Sequence, residues 1–175
     1  TGKTTVKKMK LDFYLPAVHK FSFTEKPYFI LHLGGGGDKK NINRFPEEMI
    51  YPIIRLVTEK NNLVITGLIE ESDSIVLENN SCIHDCRGKF KNVYELARWT
   101  ENAAGVFCSS TFILHIAGAF QVPTFTFYSF RDSPILWNPP GDCHWMVWNY
   151  SECSFCEKNI CKSEKCIRGF HNQSV

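Results

Sequence analysis

The sequence predicts an α/β domain built on a mainly parallel sheet, and three observations carry that prediction. Short apolar runs, long enough for strands and too short for helices, alternate with segments of helical spacing along most of the chain. Several of these runs are apolar nearly throughout, as strands buried on both faces require. Residues 104–127, AGVFCSSTFILHIAGAFQVPTFTF, hold a strand, a helix and a second strand within about two dozen positions. That is a compact βαβ crossover, which makes its two strands parallel.

Residues 1–26 carry scattered basic and aromatic side chains without a period and form a linker. Residues 27–33, PYFILHL, are the first strand, and they run into Gly34, Gly35, Gly36 and Gly37. Phe45 and Pro46 open a helix: proline suits the first helical position, and Glu47 and Glu48 suit its positive end. Met49, Ile53, Leu56 and Val57 give that helix an apolar face, Pro52 threatens a kink, and Asn61 and Asn62 end it. Residues 63–66 are the second strand, closed by Gly67 and followed by a short helix with Glu70 and Glu71 near its start. Residues 82–86 form a third strand. Asn92 caps a helix carrying Val93, Leu96, Ala97 and Trp99. In the βαβ unit Val106, Phe107 and Cys108 are strand, 112–120 helix and 124–127 strand, and 144–148 is the last strand. The domain therefore spans 27–150, with a Cys-rich tail over 151–175.

The 175 residues suffice for one self-sustaining core. A net charge of +2 gives no electrostatic case for nucleic acid or membrane as the main partner. No apolar run approaches the roughly 20 residues of a membrane helix, and residues 1–10 do not resemble a secretory signal. A cytoplasmic location is the expectation, with Cys82, Cys86, Cys108 and Cys143 as reduced thiols in or beside apolar segments.

In open parallel sheets, ligands bind beyond the carboxyl ends of the strands. The loops after the first, second and βαβ strands should then share one crevice holding the glycines with Arg44, then Glu71, then Ser110 and Thr111. The turn Ser109-Ser110-Thr111 leads into a helix whose amides and positive end suit an anion. His115 lies one helical turn beyond Thr111. The alternative is plain capping by Ser110 or Thr111, with His115 a core histidine. Glycine lets backbone at Gly35 and Gly36 approach a phosphate, although the run lacks the Gly-Lys-Ser/Thr of a nucleotide loop and the dinucleotide spacing. Arg44 and Lys40 offer charge to a diphosphate, and Glu71 offers an acceptor to ribose hydroxyls; each equally suits a solvated helix start.

Four cysteines, Cys153-x2-Cys156-x4-Cys161-x4-Cys166, have knuckle-like spacing. Four thiolates can close a tetrahedral structural zinc site, with free thiols or disulfides as the alternatives.

Together these segments resemble the C-terminal domain of family 9 glycosyltransferases, the heptosyltransferase type, over residues 28–167. HLGGGGDKKNINRFP (32–46) is similar to the family's His-Pro-Gly…Lys-Arg-Trp-Pro, and VITGLIEE (64–71) to its Thr-Gly-x-x-x-Glu. DCRGKFKNVYELA (85–97) resembles Asp-Leu-x-Gly…Leu-x-Glu-Leu-Ala. SSTFILHIAGAFQVPTFTFY (109–128) resembles the family's Asn-Asp-Ser-Gly-x-x-His-x-x-Ala-Ala-x-Gly-x-Pro segment, and ILWNPPGD (135–142) its end. Ser110 stands where the family has Asp, and Phe112 and Tyr128 where it has Gly.

The resemblance implies a Rossmann-like, doubly wound fold, the C-terminal half of the two-domain GT-B arrangement. It implies a donor site at Gly35, Gly36, Arg44, Glu71, Ser110, Thr111, Phe112 and His115, with Thr111 and adjacent amides on the pyrophosphate and Glu71 at the ribose. The implied activity is transfer of a sugar, heptose from ADP, to a lipopolysaccharide-type acceptor, with no obligatory metal. The acceptor domain and general base belong to an N-terminal half with no counterpart here, so the half-chain alone should be inactive, and any peripheral membrane contact would run through that half. The rival is a non-catalytic nucleotide-binding module, a degenerate transferase half, or a zinc-knuckle module touching RNA through Phe155, Lys158, Lys162, Lys165 and Arg168.

Overall fold

The computed structural model describes residues 27–35, 45–72, 74–129 and 132–148, with the Glu71 side chain left out. The expected linker 1–26, and with it Gly36, Lys40, Arg44 and the four tail cysteines Cys153, Cys156, Cys161 and Cys166, lie outside the described residues.

The strands are β1 (Tyr28–His32), β2 (Asn62–Thr66), β3 (Ile83–Asp85), β4 (Gly105–Ser109), β5 (Thr124–Tyr128) and β6 (His144–Trp148). The helices are α1 (Glu47–Thr58), α2 (Val93–Glu101), α3 (Phe112–Phe120) and the single turn α4 (Pro134–Trp137). The strands form one sheet in the order β3-β2-β1-β4-β5-β6, and every pairing is parallel. This is the parallel α/β sheet that the alternation of segments predicts, in the Rossmann-like, doubly wound form that the family resemblance implies.

Period-two geometry sorts the strand side chains onto two faces. Leu31, Leu63, Ile65 and Phe127 pack with α1 through Ile50, Ile53, Ile54 and Val57. Ile30, Val64, Val106 and Cys108 pack with α2 and α3 through Leu96, Trp99, Ile113, Leu114 and Ala117. Both faces of the inner strands are covered, which explains why their sequences are apolar runs rather than alternations.

Several local expectations change. The buried stripe of α1 is Ile50, Ile53, Ile54 and Val57, while Leu56 is 66% exposed. Helical spacing allowed either set, because Met49, Tyr51 and Leu56 make the other flanks apolar too. Pro46 is the N-cap in an extended conformation, φ −61° and ψ 119°, rather than the first helical residue. Asn62 does not end α1; it is the buried first residue of β2, paired with Tyr28. The helix runs through exposed Pro52 to Thr58. The expected short helix at Glu70 is one 3-10 turn, Ile69–Glu71. Among the described residues, no helix is long and apolar enough to cross a membrane.

Candidate functional site

The order of the sheet reverses between β1 and β4, since β1 continues to β2 on one side and β4 to β5 on the other. Chains leaving two such strands in opposite senses open a crevice at their carboxyl ends. A cavity of about 530 Å³ lies there.

Its floor is backbone. Gly34 and Gly35 follow β1, Gly67 follows β2 and Gly88 follows β3, and all four line the cavity. Gly67 has φ +126°, and a Cβ on it would sit 2.9 Å from the Gly34 nitrogen, so only glycine lets these two loops touch. The Gly88 amide donates to the Gly67 carbonyl at 2.9 Å, which ties the third loop to the second. Arg87 anchors this strip. Its guanidinium pairs with Asp85 at 2.8 Å and donates to the Ser72 carbonyl at 2.6 Å, and the same pairing holds the Asp85 carboxyl below its usual range.

One wall comes from the segment between β3 and α2. Phe90, Val93 and Leu96 turn apolar surface to the cavity, and Leu68 adds to it from the loop after β2. Asn92 starts α2 as predicted, its side-chain oxygen accepting from the Glu95 amide at 3.0 Å.

The opposite wall is the β4–α3 turn, with Ser110, Thr111 and Phe112. Thr111 occupies the N-cap position of α3, yet its hydroxyl makes no capping bond to the helix amides and contacts the Ser109 carbonyl at 3.4 Å. Plain capping is thus set aside for Thr111. No side chain caps the first turn of α3; the Leu114 amide donates to the Thr111 carbonyl at 3.0 Å, and Thr111 and Phe112, which begin the helix, line the cavity, at a helix end whose N–H groups attract anions. Ser109 Oγ, in a residue 2% exposed, has no partner among the described residues.

His32 completes the lining. The residue is 4% exposed; its ring stands nearly perpendicular to that of Phe112, centroids 5.4 Å apart, and hydrogen-bonds Thr66 Oγ1 at 2.8 Å through Nδ1. Burial pushes its pKa down to about 4, so the ring is neutral.

The cavity brings together Gly35, Ser110, Thr111 and Phe112 of the expected donor residues. His115 is not among its lining residues; the side chain is exposed on α3 and meets the Trp137 ring, centroids 6.1 Å apart. The backbone of Glu71 lies in the 3-10 turn after β2. Sequence reasoning quoted His32 only as the start of the segment similar to the family's His-Pro-Gly and did not count it among the donor residues, because a single polar residue inside PYFILHL passes for strand filler. It missed the Phe90–Leu96 wall because Asn92 reads only as a cap. Among the described residues, no group of three His, Cys, Asp or Glu is placed to hold a metal ion. Cys82, Cys86, Cys108 and Cys143 are free thiols, as expected, with only Cys108 fully buried.

No family model and no curated protein matches the sequence. Solved structures do match. E. coli ADP-heptose lipopolysaccharide heptosyltransferase II aligns with a TM-score of 0.57 at 12% identity, over 85% of this chain and 46% of that one. The E. coli heptosyltransferase WaaC solved with ADP aligns with a TM-score of 0.59 at 15% identity, over 86% and 45%. WaaC has also been solved with ADP-2-deoxy-2-fluoro heptose. A family 9 glycosyltransferase from Veillonella parvula DSM 2008 gives a TM-score of 0.59 at 15% identity, over 85% and 41%. The chain spans less than half the length of these structures. It has the Rossmann-like α/β fold found in part of the family 9, GT-B glycosyltransferases.

Proposed function

We propose that this chain is the donor-binding part of a glycosyltransferase that takes a sugar from a nucleoside diphosphate. The observation that carries the reading is the start of α3, which no side chain caps, with Ser110 and Thr111 lining a cavity at the reversal point of the sheet. The diphosphate would lie against the α3 amides and the two hydroxyls, in direct reach of donors that need no reorganisation. The apolar wall of Leu68, Phe90, Val93 and Leu96 would take the base. Arg44 would add charge to the diphosphate and Glu71 would accept from the ribose. The ADP and ADP-2-deoxy-2-fluoro heptose of the WaaC structures favour ADP-linked heptose as donor, and the likeness to lipopolysaccharide heptosyltransferase II favours a lipopolysaccharide-type acceptor; the location that goes with this reading is the cytoplasm. Acceptor binding and the general base would come from the half that this chain does not span. The four tail cysteines would hold a structural zinc.

Phe112 supports a second reading, a nucleotide-binding module that transfers nothing. It is 49% exposed at the first position of α3, with its ring against His32, where it takes up room beside the amides a phosphate would use. The test is calorimetric titration of the chain with ADP, UDP, GDP and CDP, then of Thr111→Val with the preferred one. Saturable binding with an ADP preference, weakened about tenfold or more by the loss of a hydrogen bond to a charged group, supports the site. Binding of none of the four overturns it. Recovery of sugar transfer on Phe112→Gly, in the presence of the complementary half, would single out Phe112 as the residue that silences it.

A further inference from the structure

The His32–Thr66 pair carries an inference that rests on the nucleotide reading and names a binding residue within it. His32 ends β1 in register with Thr66, the last residue of β2. Thr66 is fully buried, and its hydroxyl has one hydrogen-bond partner among the described residues, His32 Nδ1 at 2.8 Å. That single bond must serve both groups. If Nδ1 carried the proton and donated it, the Thr66 hydroxyl hydrogen would be left buried without an acceptor, the costlier kind of orphan. If the hydroxyl donates, Nδ1 accepts and no buried hydrogen is stranded. The ring proton therefore belongs on Nε2.

Nε2 has no partner among the described residues, and His32 lines the cavity. No lysine or arginine side chain is among the described residues that line it. The donors that the described lining residues offer are neutral: backbone amides at the start of α3, the Ser110 and Thr111 hydroxyls, and this imidazole N–H.

We infer that His32 is a ligand-binding residue whose Nε2–H donates to an oxygen of the bound diphosphate, with Thr66 fixing the tautomer and the angle of the ring. A lysine would attract any anion from any direction, whereas a buried ring locked through its other nitrogen selects an oxygen at one place. The Phe112 ring, nearly perpendicular to the imidazole with centroids 5.4 Å apart, narrows that place further.

The test compares ADP with adenosine on the full 175-residue chain. His32→Asn can still reach Thr66 but has no group at the Nε2 position, whereas His32→Gln extends its own N–H to about that position. Expected are a loss of about tenfold or more in ADP affinity for His32→Asn, unchanged adenosine affinity, and recovery in His32→Gln. Equal ADP binding by His32→Asn and the unaltered chain overturns the inference. Equal losses for ADP and adenosine also overturn it, by making His32 a structural residue only. A long-range proton–nitrogen spectrum of the unliganded chain should show the proton on Nε2; a proton on Nδ1 overturns the inference without reference to nucleotide. An unaltered chain that takes up neither compound overturns the nucleotide reading and this inference together.

Discussion

Gly67 and Gly34 touch through backbone alone: a Cβ on Gly67 would lie 2.9 Å from the Gly34 nitrogen, at a φ of +126°. A side chain there meets main chain that cannot rotate away, and it does so in a region of φ that L-residues avoid. Gly67→Ala is expected to destabilise the fold by about 1–3 kcal/mol. Gly88→Ala has φ +65° and meets only the end of the flexible Ile69 side chain at 3.2 Å, so it should cost less. Urea midpoints rank the two; a milder Gly67→Ala would show that the loops are free to separate.

Gly118 presents the same constraint on the other face. A Cβ there would lie 2.5 Å from Pro139 Cβ and 2.6 Å from its Cγ. A proline ring has little room to turn, so Gly118→Ala should push the segment after α4 off α3, at about 1–3 kcal/mol. The His115–Trp137 ring contact should weaken with it, read as a change in tryptophan emission. Unchanged stability and emission would refute this packing.

His32 makes stability depend on pH in a defined direction. Its folded pKa of about 4 lies below the unfolded value of 6.5, so between these the unfolded chain holds a proton that the folded chain does not. Stability from this residue is complete above pH 6.5, falls as pH drops, and levels off near pH 4, a loss of about 3 kcal/mol. His84 and His144, also lowered by burial, slope the same way. Urea midpoints from about pH 7 down to about 4.5 should fall less steeply in His32→Asn; equal slopes would contradict the buried neutral ring.

Cys108 is fully buried, and burial pushes its thiol up to about 12. The thiolate is the reactive form, so Cys108 should resist alkylation in the folded chain and label only on unfolding. Cys82, half-buried beside β3, should label in the folded state. Peptide mapping after a timed pulse separates them, and equal rates would place Cys108 outside the core.

The strands were legible because burial on both sheet faces writes itself as apolar runs; β6 and α3 have the predicted bounds. The face of α1 was not, because Met49 and Leu56 supply a second stripe at helical spacing and only the sheet chooses between them. Half of the crevice followed from topology plus the glycines and Ser110-Thr111. The wall from Phe90 to Leu96 belongs to the segment after β3, a strand three residues long whose weak pattern hid where the chain would go next. His115 satisfied the spacing but not the direction: one helical turn beyond Thr111, it faces Trp137 rather than the ligand space.

The outward winding of the sheet has a kinetic consequence. As the chain emerges from the ribosome, β1, β2 and β3 can pair while the other edge of β1 stays bare until Gly105–Ser109 arrives. A bare parallel edge rich in Phe29, Ile30 and Leu31 is a template for a neighbouring nascent chain. Synthesis that pauses before residue 105 should therefore be where this protein is most exposed to misassembly and to chaperone capture.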